Sequence, residues 1–248
     1  MPYTLLTAAG KSVDARKIMR LDKYICKCTS YSRKEACSLI KKNHVSVDDI
    51  IITDAGFHLN ENQQVKIDET VLHYEEYIYI ILNKPAGYIT ATNDNSSKTV
   101  MDLIDEKRSD LSIVGRLDKD TEGLLLITNN GKLNHNMLSP SKHVDKTYYV
   151  ICENKLSDDD INRLCHGIDI GDDTPTLEAK CIRYEQGILL TIHEGRYHQI
   201  KRMMEAINNR VIYLKRLTFG PLKLDESLKT GSSRRLTNEE IGLIKKYM

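Results

Sequence analysis

The sequence predicts an α+β protein in which a small unit of two helices on a short sheet precedes a larger domain with a mixed, mainly antiparallel sheet. Helix-like and strand-like segments follow one another without the regular β-α-β spacing of parallel α/β folds. The chain has 248 residues, enough for two domains. An acidic joint at Glu75 and Glu76 precedes a strongly β-prone stretch. We therefore expect the two domains to span residues 19–76 and 77–248.

The first unit is predicted from capping signals and short β-prone runs. LDKYICKC at 21–28 has one apolar helical face. Ser32 followed by Glu35 forms a capping box, which begins a second helix that should end near Asn43. The predicted strands are a hairpin in VSVDDIII at 45–52 and a single strand in QVKID at 64–68.

The larger domain begins with a strand over Tyr77–Leu82, which Pro85 and Gly87 interrupt. Further strands are expected in SIVGRL (112–117), GLLLIT (123–128), KTYYVIC (146–152) and ILLTIHEG (188–195). Helices are expected in GKLNHNML (131–138), after a capping box of Ser157 and Asp160 as far as about Gly167, from about His198, and after a capping box of Thr237 and Glu240. The helix from His198 should turn Ile200, Met203, Met204 and Ile207 inward.

Bulk composition is that of an ordinary folded protein, with 29% charged and 40% hydrophobic residues. The sequence contains no run of 18 apolar residues and no secretory leader pattern, so neither a membrane partner nor secretion is expected. Its six cysteines lack paired CxxC spacing, which argues against disulfides and zinc and favours the reducing cytoplasm. We interpret residues 1–18 as a leader or an N-terminal extension without fixed structure.

Charge is strongly segregated although the formal net charge is only +1. Residues 16–42 contain nine basic residues and two acidic ones, whereas residues 43–76 contain eight acidic residues and only Lys66 opposing them. A local excess of this size indicates a surface that binds a polyanion, although a solvated helix pair would show a milder version of it.

The basic segment resembles a known module. RLDKYICKCTSYSRKEACSLIKKNHVSVDD, residues 20–49, is similar to the S4 RNA-binding domain over nearly all of that module. The resemblance implies contacts with RNA phosphates. Such contacts strengthen binding but do not distinguish one nucleotide sequence from another. The residues expected to make these contacts are Arg20, Lys23, Arg33, Lys34, Lys41 and Lys42.

The most informative stretch is GRLDKDTEGLLLITNNG at 115–131, which places Asp118 in a sharp turn before an apolar strand. A single loop aspartate is usually a turn former. The whole stretch, however, resembles the signature of the RsuA/RluB/RluE/RluF family of pseudouridine synthases. The likeness extends, in the same order, to LNKPAGY (82–88), KTYYV (146–150) and EGRYHQIKRM (194–203).

The resemblance implies that the chain isomerises a uridine in RNA. The N-glycosidic bond is broken, the base turns, and the base rejoins the sugar through carbon, so no cofactor and no metal is expected. Asp118 matches the catalytic aspartate, which acts either as a nucleophile or as a base that removes a sugar proton. Thr121, Glu122 and Gly123 would fix the turn that presents it.

Other site residues follow from the same motifs. Lys201 is the first candidate for a cation beside Asp118, with Arg202 as the alternative, and a merely surface role is open for both. Tyr148 matches the tyrosine that stacks on the flipped base, whereas Tyr149 should point to the other face of its strand.

Four more residues are expected near RNA. Arg116 should share the side of Asp118 if the strand alternates regularly, and would replace the flipped base or bind a phosphate unless it pairs with Asp120. Asn83, Lys84 and Tyr197 are expected to contact phosphate or to shape loops. His193 and His198 lack the spacing of a zinc-binding helix, so a metal site is not predicted.

KTYYV, EGRYHQIKRM and the compact C-terminus most resemble family members that act on small-subunit ribosomal RNA. The expected partner is therefore 16S rRNA, free or in a partly assembled small subunit, bound by a monomer. Three alternatives are open: a 23S rRNA enzyme, a non-catalytic RNA-binding assembly factor, and a nucleoside hydrolase. The hydrolase would use Asp120 or Glu122 as a second carboxylate.

Overall fold

The computed structural model describes residues 19–106 and 108–248, so the expectation for residues 1–18 lies outside the described part of the chain. The chain divides into two compact units. Among the described residues, one contains 19–76 together with the short segment Glu106–Asp110, and the other contains Tyr77–Asp105 and Leu111–Met248. Nothing in the sequence pattern predicts the return of Glu106–Asp110 to the first unit.

In the first unit two short helices pack on small sheets, as the sequence predicts. The elements are β1 (Met19–Arg20), α1 (Leu21–Cys28), α2 (Arg33–Lys41), β2 (Val45–Val47), β3 (Ile50–Ile51), β4 (His58–Leu59), β5 (Val65–Ile67) and β6 (Thr70–Leu72). The capping box of Ser32 and Glu35 is present, and α2 ends at Lys41, two residues before the expected Asn43. The sheet order is β3-β2-β5-β6, and β1 pairs separately with β4.

The second unit is built on a nine-stranded sheet. Its strands are β7 (Tyr79–Lys84), β8 (Ser112–Val114), β9 (Glu122–Thr128), β10 (Lys146–Cys152), β11 (Lys180–Tyr184), β12 (Gly187–Ile192), β13 (Val211–Phe219), β14 (Leu222–Lys223) and β15 (Ser233–Arg235). Its α-helices are α3 (Gly131–Leu138), α4 (Asp158–Cys165), α5 (Gln199–Glu205) and α6 (Asn238–Ile244). Short 3₁₀ turns lie at Val100–Leu103, Pro140–Lys142 and Lys245–Tyr247.

Strand order in the large sheet is β11-β12-β10-β13-β9-β7-β15, with β14 on β13 and β8 on β9. Every pairing in this sheet is antiparallel except that of β13 with β9, which is parallel. The predicted mixed, mainly antiparallel sheet is therefore confirmed.

Both faces of the sheet are covered, because alternate side chains of β9 enter different cores. Leu125 and Ile127 belong to a core that also contains residues of α4 and α5. Leu124 and Leu126 belong to a second core with residues of α3 and α6. The capping boxes that begin α4 at Ser157 and α6 at Thr237 are both present, as predicted.

Several strand and helix ends differ from the sequence predictions. The β7 strand begins at Tyr79 and continues to Lys84 instead of ending at Leu82. The β8 strand stops at Val114, because Gly115 has a φ of 76°, in the left-handed region where a regular strand cannot continue. The predicted strand through Leu117 is therefore wrong, and Arg116 lies in a loop. The α4 helix ends at Cys165 instead of near Gly167, and α5 ends at Glu205, before the predicted inward-facing residue Ile207.

None of the helices among the described residues is both long enough and apolar enough to span a membrane.

Gly123 lies at a very close approach between two backbones of the sheet. Its φ is 102°, and a Cβ atom placed on it would lie 2.3 Å from the carbonyl oxygen of Arg216 on the parallel strand β13. Only glycine fits this contact. The parallel pairing of β9 with β13 therefore depends on the glycine that follows the Asp118 turn.

Replacing Gly123 by alanine should lower the free energy of unfolding by about 3 kcal/mol or more, because strain and a backbone clash add together. Urea denaturation measures this change. Gly131→Ala is the matched control: no atom lies within 4 Å of its added Cβ at the start of α3, so stability should change by less than about 1 kcal/mol. A Gly123→Ala protein as stable as the control would contradict the close approach.

Candidate active site

Asp118 lies in the loop between β8 and β9, where the backbone turns sharply. The Thr121 amide donates to the carbonyl of Asp118 at 3.1 Å, and the Gly87 amide donates to the carbonyl of Lys119 at 2.7 Å. The turn is thus closed from within and joined to the loop that follows β7. This arrangement fixes where the Asp118 carboxylate points.

Lys84 is the residue that holds this loop together. Its side chain is completely buried at the end of β7. The ammonium group donates to the carbonyls of Asp118 (3.0 Å), Thr121 (2.8 Å), Lys119 (3.3 Å) and Pro85 (3.1 Å). Burial lowers the pKa of Lys84 to about 8, even though neighbouring carboxylates, first among them that of Asp120, act to raise it.

The predicted contact of Lys84 with RNA phosphate is therefore not supported, and its other predicted role, shaping a loop, fits the geometry. A buried ammonium with four carbonyl partners has no surface left for phosphate. Asn83 is also buried, and its amide nitrogen donates to the carbonyl of Leu228 at 2.8 Å. The structure does not place Asn83 at a surface that RNA could reach.

The Asp118 carboxylate faces a different basic side chain at each oxygen. Lys201 Nζ lies 3.4 Å from Oδ2, and His198 Nε2 lies 3.5 Å from Oδ1. Both partners come from the start of α5, and the Asp118 side chain is 30% exposed. The carboxylate is thus held at the edge of solvent between two groups of one short segment.

Lys201 also bonds to Asp120, at 2.7 and 2.9 Å. Burial lowers the pKa of Lys201, but the hydrogen bond to Asp120 and the charges of Asp118 and Asp120 outweigh it, so the net pKa is raised. Burial likewise raises the pKa of Asp120, but the bond and charge of Lys201 reverse this and lower it overall. One lysine therefore bridges two carboxylates of the same turn.

Of the two cations expected as partners of Asp118, only Lys201 contacts it. The Arg202 guanidinium instead pairs with Asp172 and donates to the carbonyl of Ile170. These bonds join α5 to the loop before β11. The alternative that Arg202 is the cation beside Asp118 is wrong, because the side chains of adjacent helix residues point in directions about 100° apart.

A cavity of about 710 Å³ opens beside the Asp118 loop. Asp118, Arg116, Tyr148, His198 and Lys201 are among the side chains that line it. Tyr148 on β10 is only 7% exposed, so its ring forms part of the wall. Tyr149 points away and makes edge contacts with Tyr184 and Tyr213, as strand alternation predicts.

Arg116 and Tyr197 also line the cavity, and both come from loops. Arg116 forms no ion pair with Asp120, which binds Lys201 instead. Because it lies beyond the end of β8, the strand alternation expected for it does not apply. Tyr197 is 76% exposed, and its ring stacks on that of His198 at 3.9 Å between centroids and an 18° tilt.

The six basic residues of the first unit that are expected to contact RNA divide into two groups. Arg20 and Arg33 both bind Asp22, a carboxylate that is only 1% exposed. Burial raises the pKa of Asp22, but its hydrogen bonds from Arg20 and Arg33 outweigh this and lower it. Lys23, Lys34, Lys41 and Lys42 are exposed on α1, on α2 and at its end.

The Asp22 carboxylate therefore neutralises part of the positive charge of Arg20 and Arg33. The sequence prediction, by contrast, treats both arginines as free to bind phosphate. Both arginine side chains nevertheless keep large exposed fractions, 45% and 68%. The four lysines present their charge to solvent. The part of the chain that the structure describes contains no cluster of three or more side chains suited to a metal ion.

Comparison with known protein families identifies the family to which this chain belongs. The model of the RNA pseudouridylate synthase family matches residues 78–206, and that of the S4 domain matches residues 19–65. The chain belongs to the RNA pseudouridylate synthase family. The resemblance inferred from the sequence is thereby confirmed, together with the prediction that the chain is a pseudouridine synthase.

Several relatives of this synthase align along nearly their whole length. The uncharacterized RNA pseudouridine synthase YtzG of Bacillus subtilis is 42% identical, over 91% of this chain and 98% of the relative. Ribosomal small subunit pseudouridine synthase A of Vibrio cholerae is 41% identical, over 91% and 99%. A crystal structure of a pseudouridylate synthase superposes with a TM-score of 0.65 at 34% identity, covering 91% of this chain and 99% of that one.

Two features of the synthase site are not predicted by the sequence. The spacing of His193 and His198 in the sequence argues only against a zinc site and does not place His198 beside Asp118. In the structure His198 contacts Asp118. It has left-handed backbone angles (φ 48°, ψ 34°) immediately before α5. A strained residue at this position indicates that the fold holds its ring in place. Arg216 lines the cavity from β13, and none of the family motifs named above contains it.

Replacing Lys84 by methionine should lower the free energy of unfolding by about 2 to 3 kcal/mol at pH 7, because buried carbonyls lose a charged donor. The loss should also depend on pH. The folded-state pKa of Lys84, about 8, lies below its ordinary value of 10.5, so the unfolded chain binds more protons between these limits. The free energy of unfolding of the wild type should therefore increase relative to that of Lys84→Met as the pH rises from about 8 to 10.

Chemical denaturation at several pH values measures both effects. Lys42→Met serves as the control, because this lysine is exposed and its removal should change stability by less than about 0.5 kcal/mol. Equal stability of the two variants at every pH would show that the Lys84 ammonium does not hold the loop.

Proposed function

We propose that this protein converts a specific uridine of small-subunit, 16S ribosomal RNA into pseudouridine, with Asp118 as the catalytic group. The observation that carries the proposal is the Asp118 carboxylate at the cavity, with Lys201 at one oxygen and His198 at the other. A carboxylate on an RNA-facing surface repels phosphate, so a protein that only bound RNA would gain nothing from it.

Chemistry at this site needs an ionised carboxylate that is partly shielded from water. A neighbouring ammonium compensates for the lost hydration, because a positive charge within a few ångströms favours the charged form. Lys201 is the proposed source of that charge. Asp118 then either attacks the nucleoside or removes a proton from the sugar, and its position is compatible with both routes.

Tyr148 is proposed to stack on the flipped uracil. Its ring forms part of the cavity wall, and stacking of a base on an aromatic ring contributes about 1 to 3 kcal/mol. Arg116, at the same cavity, is proposed to occupy the space that the base leaves or to bind a phosphate. Tyr197 is proposed as a further RNA contact because its ring is largely exposed.

The proposed substrate follows from the relatives. Proteins named ribosomal small subunit pseudouridine synthase A, from Vibrio cholerae and from Escherichia coli K12, align with 91% of this chain at 41% and 37% identity. We assign residues 19–76 to RNA binding and residues 77–248 to catalysis. A monomer acting in the cytoplasm on free 16S rRNA, or on a partly assembled subunit, is part of the proposal.

The hydrolytic alternative has little support, because the two candidate second carboxylates are engaged elsewhere. Asp120 binds Lys201, and Glu122 accepts a hydrogen bond from the Tyr213 hydroxyl at 2.8 Å. A hydrolase would need one of them free to activate water.

Asp118→Asn should abolish pseudouridine formation while RNA affinity changes by less than about twofold, because the change removes the reacting charge and keeps the shape. Pseudouridine is mapped by chemical probing of rRNA from cells that lack the protein and then express wild type or variant. Pseudouridine in 23S rRNA instead would assign the substrate to the large subunit. Release of free uracil would indicate hydrolysis, and activity of Asp118→Asn would remove the central assignment.

The exposed lysines of the first unit should set the salt dependence of RNA binding. Replacing Lys34, Lys41 and Lys42 by glutamate should weaken binding and reduce the slope of log K against log salt by about 2, since each phosphate on single-stranded RNA that is no longer neutralised accounts for about 0.7. Filter binding over a salt series measures the slope.

The matched control replaces three exposed lysines of the other unit, Lys155, Lys180 and Lys229, by glutamate. It changes the net charge by the same amount, so it separates a local footprint from a general charge effect. Equal slopes for the two triple variants would refute RNA binding by the basic helices.

A further inference from the structure

The cavity beside Asp118 is also lined by a charged group that the proposed mechanism does not use. Arg216 lies in the middle of the sheet, paired with Tyr148 of β10 on one side and with Gly123 of β9 on the other. It therefore stands between the strand of the stacking tyrosine and the strand that leaves the catalytic turn. The residue is 1% exposed, and it lines the cavity.

The hydrogen-bonding capacity of this guanidinium is only partly used. Nε donates to the carbonyl of Leu124 at 2.8 Å, whereas the buried Nη2 has no hydrogen-bond partner. Leaving a buried charged donor unpaired is costly. A group this deep is therefore expected to meet a hydrogen-bond acceptor that arrives with a ligand.

Lys146 brings a second cation to the same cavity. It precedes Tyr148 by two residues on β10, and its ammonium donates to the carbonyl of Val144 at 3.0 Å. Burial, and then the charge of Arg216, lower the pKa of Lys146 to about 8. Both cations lie near the ring of Phe219, at 4.8 Å for Arg216 and 5.6 Å for Lys146.

No carboxylate within the described residues forms an ion pair with either cation. The carboxylates whose charge acts to raise the pKa of Lys146 are those of Asp145 and Glu194. Asp145 pairs with His193 at 2.6 Å, and Glu194 pairs with Arg196 at 2.9 Å. The wall of the cavity thus contains two positive charges with no negative partner of their own.

We propose that Arg216 and Lys146 form an anion hole for the pyrimidine ring, binding its carbonyl oxygens while the ring is detached from the sugar. This inference rests on the proposed function. Lys146 lies two residues before Tyr148 on β10, and Arg216 lies opposite Tyr148 on β13. This position beside Tyr148 favours the base over the backbone phosphate, because the base is the part that enters between Tyr148 and Asp118.

The reaction itself requires such a site. When the N1–C1′ bond breaks, its electron pair stays on the ring and spreads from N1 to O2 and O4. After the ring turns, C5 forms the new bond to C1′, the C5 proton is lost, and N1 gains a proton, so no atom is lost or gained overall. Negative charge on the ring exists only between these steps. Fixed donors that meet this charge accelerate the chemical step more than they strengthen binding.

The test compares single-turnover rate constants for pseudouridine formation in the mapped target RNA. Arg216→Met should slow the chemical step about 10² to 10³-fold, the range seen when one oxyanion donor is removed, with RNA affinity changed by less than about twofold. Arg216→Lys should keep part of the rate. Arg210→Met, at an exposed arginine that pairs with Glu153 away from the cavity, is the matched control.

Lys146→Met provides a second variant that does not depend on how well Arg216→Met folds. It should slow the reaction by a similar order of magnitude while leaving the melting temperature unchanged or higher, because it removes a partly buried charge that has no carboxylate partner. A merely structural lysine would give the opposite pattern, with stability lowered and the rate kept.

A substrate change locates the interaction. Sulfur in place of O2 or O4 of the target uridine should slow the wild type but add little to the effect of Arg216→Met, since coupled groups are not additive. Full additivity, or variants that bind RNA more weakly at an unchanged rate, would overturn the anion hole and indicate a phosphate site. A wild-type protein that makes no pseudouridine would instead remove the proposed function, and this inference with it.

Discussion

The candidate site depends on one buried ammonium group. Lys84 ends β7 inside the protein and donates to four carbonyls, three of them in the turn that contains Asp118. A turn of this kind has several carbonyls on its inner side that the sheet cannot satisfy, and a single lysine satisfies them together. The position of the Asp118 carboxylate is therefore set by a charge behind the loop.

Charge around the cavity follows from the order of the strands. The parallel pairing of β9 with β13 brings the start of β9, just after the Asp118 turn, beside Arg216, and the antiparallel pairing of β13 with β10 brings Arg216 beside Tyr148. Helix α5 then supplies Lys201 at the open side. Acidic and basic groups that are far apart in the chain thus surround one cavity, where low exposure to water strengthens their interactions.

Features set by local hydrogen bonds could be predicted from the sequence. The capping boxes at Ser32, Ser157 and Thr237 each begin a helix where expected, because both partners lie within four residues. The ends of strands are harder to predict from the sequence. The end of β8 depends on the left-handed angle at Gly115, which the apolar pattern of SIVGRL does not reveal.

The residues of the candidate site likewise divide into those that the sequence could predict and those that it could not. Asp118, Tyr148 and Lys201 could be located from motifs, and the structure brings all three to one cavity, although their roles stay predictions. Whether Lys201 or Arg202 faces Asp118 could not be deduced from two adjacent basic residues, because the answer depends on how α5 packs. The depth of Lys84 and Arg216 could not be predicted either. Both are basic residues in strands, and their burial is decided by neighbours more than 30 residues away.

The segment Glu106–Asp110 has a practical meaning for anyone who divides this protein. Arg108 is almost fully buried, grips the Asp110 carboxylate at 2.7 and 2.9 Å and donates to the carbonyl of Glu75. The N-terminal unit is thus completed by a stretch of chain that follows the first strand of the other unit. A fragment that ends at Glu76 would lack these contacts, so a single cut in the chain cannot separate the two units.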